Sequence, residues 1–223
     1  MSREWDELAD WWLTELESDP TYEQVVVPLL LDLVAADRGT VLDVGCGNGR
    51  IMARLKGGEL HPIGCDLNFS LLADASRVGS VIRVHLPGIP LRDASIDGAV
   101  VVLSFEHFSD EIFTELARVI RPGGWMAAVA NHPFVTAPGS ASVIDPTDGE
   151  VFWRPGTYLD RGETIEDADG RPVTFLHRPL GNLLSLAADA GFLLTTLREV
   201  PLEAGGLPDA GLPRLIGVRW ARR

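Results

Sequence analysis

The sequence predicts an α/β fold with a doubly wound, mostly parallel β-sheet. Apolar runs of strand length alternate with segments whose apolar residues recur at helical spacing, a pattern typical of parallel strands joined by helices. The clearest unit covers residues 40–55, where a buried strand is followed by a glycine turn and then by an amphipathic helix. With 223 residues the chain is long enough for a sizeable core, and we predict one domain over residues 1–223.

The glycine turn of this unit predicts a ligand site. Gly45, Gly47 and Gly49 have no Cβ, so the backbone can turn sharply and a ligand can lie directly on it. Free amides at the start of the following helix favour a polar or anionic group. Arg50 stands where the dinucleotide fingerprint G-x-G-x-x-G has its third small residue, and Asp43 precedes the turn. These two residues argue against an NAD-dependent reductase, which remains the alternative.

A second acid follows one helix and one strand later. Asp66 ends the predicted second strand, residues 60–66, at the same edge of the sheet as the glycine turn. A carboxylate in this position can accept hydrogen bonds from both ribose hydroxyls of a nucleoside. The sequence therefore predicts a nucleoside-containing ligand across the first two strands.

Together these residues resemble motif I of the class I S-adenosylmethionine (SAM)-dependent methyltransferases, with a type 11-like, Rossmann-like domain. Residues 118–124 look like the R-V-L-K-P-G-G turn of this family, and residues 177–199 resemble its closing H-R-x-L…L-x-x-A-G-F…E-P segment. The family's D-A-x-x-L-P-F-x-D-x-S-F-D segment is matched at four positions: Pro90, Asp93, Ser95 and Asp97. The resemblance covers most of residues 22–220, with the exception of an insertion at 132–178.

The resemblance implies a seven-stranded sheet in the order 3-2-1-4-5-7-6 with strand 7 antiparallel, SAM as the cofactor and S-adenosylhomocysteine (SAH) as its product. It also implies cofactor contacts from the glycine turn and from the ends of strands two to four. The expected residues are Asp43, Gly45, Cys46, Gly47, Asn48, Gly49, Arg50, Asp66, Leu67, His85, Leu86, Pro87, Ser104 and Phe105. His85 stands where the family usually has an acid for the adenine amino group, so a neutral imidazole nitrogen would have to accept that bond.

Two additions to the sheet are predicted. Residues 1–36 form an N-terminal helical cap, with helices over 4–16 and 22–36, and Pro28 kinks the second helix or delays its start. In the resembled family such helices cover the SAM site; the alternative is that they pack on the flank of the sheet. Residues 132–178 are rich in Pro and Gly and are predicted to form an insertion after strand 5. Short β-prone pieces at 151–153 and 173–176 suggest that this insertion is a hairpin lid.

The remaining elements follow in order along the chain. The predicted strands three to seven cover 80–84, 98–103, 125–130, 193–200 and 212–220, and helices lie between them, the last over 179–190.

Three side chains are candidates for catalysis. The methyl group of SAM is already activated, so the protein has to align a nucleophile in line with the S–CH₃ bond and remove a proton where the nucleophile requires it. His107 and His132 follow strands four and five, and imidazole titrates near neutral pH as a general base should. Glu106 would orient His107 or contact a substrate amine. The alternatives are a backbone hydrogen bond for His107 and a solvated turn for His132.

Composition bears on the partners. The formal net charge of −13 disfavours a nucleic-acid substrate and favours a small-molecule acceptor methylated on O or N. A protein or tRNA acceptor, and a SAM-binding protein without catalytic activity, are the alternatives. The sequence has no run of about 18 apolar residues and no metal-ligand spacing, so we predict no membrane span and no metal site. Cys46 and Cys65 suit a reduced state, and we predict a cytoplasmic monomer or homodimer.

Overall fold

The computed structural model describes residues 20–167, 170, 172–201 and 212–223. The main sheet has seven strands, and these are β1 (Gly39–Val44), β2 (Leu60–Asp66), β3 (Ser80–Arg83), β4 (Ile96–Val102), β5 (Ile120–Asn131), β10 (Phe192–Pro201) and β11 (Pro213–Arg222). Their order is β10-β11-β5-β4-β1-β2-β3, and β11 runs antiparallel to both of its neighbours. The predicted order and the antiparallel seventh strand are confirmed.

β1 is an inner strand of the sheet, next to the central strand β4. It pairs in parallel with β2 on one side and with β4 on the other. Val41, Leu42 and Val44 are completely buried, as expected for a parallel strand covered by helices on both sides. The chain leaves β1 directly into the glycine turn, so the turn lies at the carboxyl edge between the ends of β2 and β4.

Helices cover both faces of the sheet. They are α1 (Val27–Leu33), α2 (Arg50–Leu55), α3 (Phe69–Ala75), α4 (Glu111–Val119), α5 (Pro133–Thr136) and α6 (Leu180–Asp189). One core cluster places Ile112 and Phe113 of α4 with Leu183 of α6 against the sheet, and a second places Leu30 of α1 with Ile51 of α2 on it. In the part of the chain that the structure describes, none of the helices combines the length and apolar character needed to cross a bilayer.

The predicted helix over residues 22–36 is shorter and begins differently. Residues Tyr22–Val26 form a π-helical turn, and the α-helix begins at Val27 and ends at Leu33. Pro28 lies in the first turn of α1, where its missing N–H costs no hydrogen bond inside the helix. The delayed start was one of the two predicted effects of Pro28. The predicted helix over residues 4–16 lies outside the described residues.

The segment after β5 folds into two small antiparallel hairpins that follow α5. The first pairs β6 (Ala141–Ile144) with β7 (Val151–Arg154), and the second pairs β8 (Gly162–Asp167) with β9 (Pro172–His177). The β-prone pieces at 151–153 and 173–176 are therefore strands, as the sequence indicated. After β9 the chain enters α6 and returns to the main sheet.

Candidate active site

A cavity of about 340 Å³ opens at the carboxyl edge of the sheet, beyond β1, β2, β3 and β4. Open α/β sheets bind their ligands at this edge. Many of the residues predicted to contact the cofactor line the cavity: Gly45, Cys46, Gly47, Asn48, Arg50, Asp66, Leu67, His85, Leu86 and Pro87. Three separate segments of the sequence therefore meet around one space.

The glycine turn gives the cavity its floor. Gly45, Gly47 and Gly49 all have positive φ angles, of 73°, 52° and 86°, which is the left-handed region that favours glycine. A Cβ on Gly47 would meet no protein atom within 4 Å, whereas one on Gly49 would lie 3.0 Å from the Cα of Ala75. Gly47 therefore leaves open space on the cavity side, and Gly49 allows α2 and α3 to pack closely.

Asp66 joins the glycine turn to the end of β2. Its Oδ2 accepts a hydrogen bond from the Gly47 amide at 2.9 Å, and its Oδ1 accepts one from the Asn68 amide at 2.9 Å. A carboxylate oxygen can accept more than one hydrogen bond, so both oxygens keep capacity for hydroxyl donors in the cavity. Asn68 in turn accepts from the Leu71 amide at 3.0 Å and caps α3.

Asp43 lies behind the turn and not on its surface. The side chain is buried, and it accepts a hydrogen bond from the backbone of Met52 in the first turn of α2. Burial, and next the charge of Asp66, raise the pKa of Asp43 to about 7 although the Met52 bond opposes the shift. Asp43 therefore stabilises the start of α2, and it is not among the residues that line the cavity.

Three other predicted contacts also lie behind the cavity lining: Gly49, Ser104 and Phe105. Ser104 donates a hydrogen bond from Oγ to the Val44 carbonyl at 3.1 Å, which holds the end of β1 to the end of β4. The Phe105 ring stacks on Phe113 of α4 with 5.3 Å between centroids. These residues fix the wall of the cavity, and the spacing of the sequence could not separate wall residues from lining residues.

His107 brings a titratable group to the cavity. It ends a 3₁₀ turn, Phe105–His107, directly after β4, and its half-buried ring lines the cavity. The Nδ1 atom lies 3.3 Å from the Thr174 carbonyl of β9. Because a carbonyl only accepts, Nδ1 carries the proton in this bond, and Nε2 is the basic nitrogen of the neutral ring.

Burial decides the protonation state of His107. It lowers the pKa of His107 below the ordinary histidine value, although the charge of Glu106 and the bond to Thr174 act in the opposite direction. The ring is therefore neutral at neutral pH, which is the form that a general base requires.

Comparison with known proteins relates the central part of the chain to a known domain. Residues 42–128 match the family described as the methyltransferase domain, and this stretch contains the glycine turn, Asp66 and His107. Over residues 42–128 the chain carries a methyltransferase domain of the class I SAM-dependent type. SAM is the cofactor of this domain type.

The relatives of this methyltransferase domain include a tRNA methyltransferase and an uncharacterized methyltransferase. The chain is 33% identical over 38% of its length to a tRNA (carboxymethyluridine(34)-5-O)-methyltransferase of Mus musculus, of which 13% is covered. It is 27% identical over 70% of its length to an uncharacterized methyltransferase of Emericella nidulans, of which 57% is covered. The chain thus spans about half the length, or much less, of these relatives.

The fold likeness extends over nearly the whole chain. A SAM-dependent methyltransferase from Mesorhizobium loti superposes with a TM-score of 0.76 at 23% identity, covering 93% of this chain and all of that one. At this identity the likeness concerns the fold.

The cavity has room for the cofactor and hydrogen-bond acceptors for its ribose. The open side of Gly47 leaves space that a Cβ would fill, and the two acceptor oxygens of Asp66 suit the paired hydroxyls of a ribose. Leu67, His85 and Leu86 line the neighbouring part of the cavity, where the resemblance expects the adenine. The residues present therefore fit SAM.

The other two predicted catalytic residues are engaged elsewhere. Glu106 is buried and accepts from the Asn131 amide at 3.1 Å. His132 caps α5 by accepting from the Phe134 amide at 3.0 Å, and its Nε2 donates to Glu199 at 2.9 Å. Neither side chain is among the cavity-lining residues, so we do not propose either as a catalytic group.

Several lining residues were not predicted from the sequence: Tyr22, Asn68, Leu71, Val84, Val102, Leu103, Phe108 and Ser109. Of these residues, Tyr22 lies farthest from the glycine turn toward the start of the described chain. The Arg50 guanidinium lies 4.7 Å from its ring centroid and forms an ion pair with Glu23 at 2.9 Å. The resemblance allowed the N-terminal helices to cover the SAM site, but no local sequence pattern paired Tyr22 with Arg50.

Proposed function

We propose that this protein transfers the methyl group of SAM to an oxygen or nitrogen atom of a small molecule. When bound, SAM supplies a methyl group on a sulfonium centre that is already activated toward a nucleophile. One observation carries the proposal: Asp66, Gly47 and His107 line the same cavity at the carboxyl edge of the sheet.

The residues of the cavity divide the work between binding and proton removal. Asp66 would hold the ribose through its two oxygens, and Gly47 leaves the backbone open to the ligand. The basic Nε2 of His107 would accept the proton of an acceptor hydroxyl or ammonium group as the nucleophile forms. Leu103 and Phe108 line the cavity beside His107 with apolar surface and would exclude water from the reacting groups.

The overall charge favours a small acceptor. A protein that binds nucleic acid normally presents a basic surface, because much of its affinity comes from phosphate neutralisation. This chain has 19 basic against 32 acidic residues. The second candidate is a tRNA acceptor, which the name of the Mus musculus relative favours although the shared stretch is a small part of that protein.

The experiment is a labelled-methyl screen. The full chain is incubated with [methyl-²H₃]SAM and a cell extract that has been separated into small-molecule, RNA and protein fractions. We expect the label in a small molecule and no label in the RNA or the protein. The variant Asp66→Ala serves as the control for transfer that this chain does not catalyse.

The other outcomes of the screen decide between the alternatives. Label in the RNA or protein fraction would overturn the small-molecule acceptor while leaving methyl transfer in place. No label in any fraction, with SAH still bound by the chain, would favour a SAM-binding partner protein without catalytic activity.

A further inference from the structure

The 3₁₀ turn that carries His107 has few hydrogen bonds of its own. It has three residues, closed by bonds from the His107 amide to the Ser104 carbonyl at 3.0 Å and from the Phe108 amide to the Phe105 carbonyl at 3.3 Å. Such a short turn forms poor hydrogen bonds and needs outside contacts to keep one conformation. Three hydrogen bonds that hold the turn come from the end of the insertion, from Thr174 and Arg178.

Arg178, just after β9, makes most of these contacts. Its guanidinium donates from Nη1 to the Phe105 carbonyl at 3.1 Å and from Nη2 to the Phe108 carbonyl, so it bridges the two ends of the turn. Its Nε donates to Asp110 at 2.7 Å. The side chain is only 6% exposed, which is unusual for an arginine and fixes all three bonds in place.

β9 adds two contacts to the His107 ring itself. The Thr174 carbonyl accepts from Nδ1, and the Phe175 ring lies 4.8 Å from the imidazole, centroid to centroid. β9 thus holds the ring of His107, and Arg178, which follows β9, holds the backbone at both ends of the turn. The insertion, which the sequence suggested as a lid, also forms the support behind the candidate base.

We propose that Arg178 is a positioning residue that keeps His107 in its orientation toward the cavity by bridging the carbonyls of Phe105 and Phe108. The proposal rests on the proposed function of His107 as the base. A guanidinium is required because its planar set of donors reaches three acceptors at once, whereas the ammonium group of lysine is a compact point charge.

The buried guanidinium of Arg178 needs a compensating negative charge, which Asp110 provides. Burial would raise the pKa of Asp110, but the hydrogen bonds from Arg178 and Arg161 outweigh it and lower the pKa. Asp110 therefore stays ionised and compensates the buried guanidinium. Arg161 donates to the other oxygen of Asp110, Oδ2, and is half exposed. Among the described residues it has no hydrogen bond to the turn, so it offers a matched arginine.

The test follows the titration of His107 by NMR in the full chain labelled with ¹³C at histidine Cε1. The chain has five histidines, and the signal of His107 is the one lost in His107→Gln. Two variants are compared with the wild type, Arg178→Lys and Arg178→Gln. The lysine variant keeps the charge, so a shift in its spectrum reports the lost geometry and not the lost charge.

We expect the pKa of His107 to rise in both variants toward the ordinary value of about 6.5, because the ring leaves its buried position. SAH affinity, measured by calorimetry, should stay within about two-fold of the wild type since the ribose side of the cavity is untouched. Methylguanidinium added to the glutamine variant should restore the low pKa. Arg161→Gln should leave the titration unchanged.

An unchanged His107 titration in both Arg178 variants, with the fold intact by circular dichroism, would overturn the proposal and leave Arg178 a structural residue. A shifted titration together with methyl transfer that does not depend on His107 would instead refute the base while the positioning contact stands. The two failures are therefore distinguishable.

Discussion

Gly47 and Gly49 have similar backbones but different surroundings, and this difference gives a matched pair of variants. An alanine at either site has a positive φ, which costs about 1–2 kcal/mol. At Gly47 the added Cβ would enter the ligand space, whereas at Gly49 it would press on the backbone of Ala75 at 3.0 Å. We expect Gly47→Ala to lose SAH affinity more than stability, and Gly49→Ala to lose stability more.

Calorimetry with SAH and thermal melting measure the two effects in the same preparations. Equal SAH affinity in Gly47→Ala and the wild type would contradict the position of the ligand over the turn.

Asp43 makes stability depend on pH. Its pKa is raised to about 7 in the folded chain, so the folded state holds a proton between about pH 4 and pH 7 that the unfolded chain releases. The contribution of Asp43 to the free energy of unfolding is therefore most favourable below about pH 4. It decreases as the pH rises to about 7, by an amount on the order of a few kcal/mol.

Asp43→Asn removes this titration while keeping an acceptor for the Met52 amide. We expect the free energy of unfolding of Asp43→Asn, relative to the wild type, to increase from pH 5 to pH 7.5 in urea titrations. A difference that is the same at both values would show that Asp43 is ionised throughout.

His107 should affect turnover and leave SAH affinity nearly unchanged. Because burial lowers its pKa, the basic form persists to below the ordinary histidine value, and the rate should fall only at more acid pH. If His107 removes a proton, His107→Gln should lower kcat by about 10²–10⁴-fold. The measurement is the pH profile of kcat on the acceptor found by the labelled-methyl screen. A normal rate across the pH range in the variant would remove His107 as the base.

At the scale of elements, Arg118 of α4 holds the loop that lines the cavity beyond β3. Its guanidinium donates to the carbonyls of Ile89 and Leu91 at 2.8 Å each, and Glu115 accepts from the Ile89 amide at 2.7 Å. The same loop carries His85, whose side chain lines the cavity.

We expect Arg118→Ala to cost about 1–3 kcal/mol of stability and to weaken SAH binding, because the loop is released from α4. Arg121→Ala is the control: Arg121 pairs with Asp97 near the opposite edge of the sheet. Melting and calorimetry are compared for both variants. Similar SAH affinities in the two would show that α4 does not hold the binding loop.

The elements of the main sheet could be predicted because each has a pattern of its own. The apolar run of residues 40–44 and the glycines after it define a strand and a turn without reference to any other segment. β8 could not be predicted, since Gly162–Asp167 is mostly polar in sequence and becomes a strand by pairing with β9. The π-helical turn before Pro28 is likewise set by packing on the sheet.

At the scale of the whole molecule, the sequence predicted His107 and many of the lining residues between Gly45 and Pro87, but not the contacts between remote segments. Asp66 follows from its place after the second strand, and the strand order follows from the family resemblance. The contacts of Tyr22 with Arg50 and of His107 with Thr174 join segments that are remote in sequence, and no local pattern encodes them. The cytoplasmic location and the monomeric or homodimeric state stay predictions.

The central claim is that the cavity over the glycine turn binds SAM through Asp66. Isothermal calorimetry of the full chain with SAH and, separately, with NADH tests it most directly. The variants are Asp66→Ala and Asp74→Ala; Asp74 lies on the exposed side of α3, where it pairs with Arg77, and serves as the control.

We expect SAH to bind the wild type and Asp74→Ala equally, and NADH to bind neither. In Asp66→Ala the lost hydrogen bonds to a charged group, about 1.5–3 kcal/mol each, should weaken SAH binding ten-fold or more. Preference for NADH, or unchanged SAH affinity in a folded Asp66→Ala, would contradict the account.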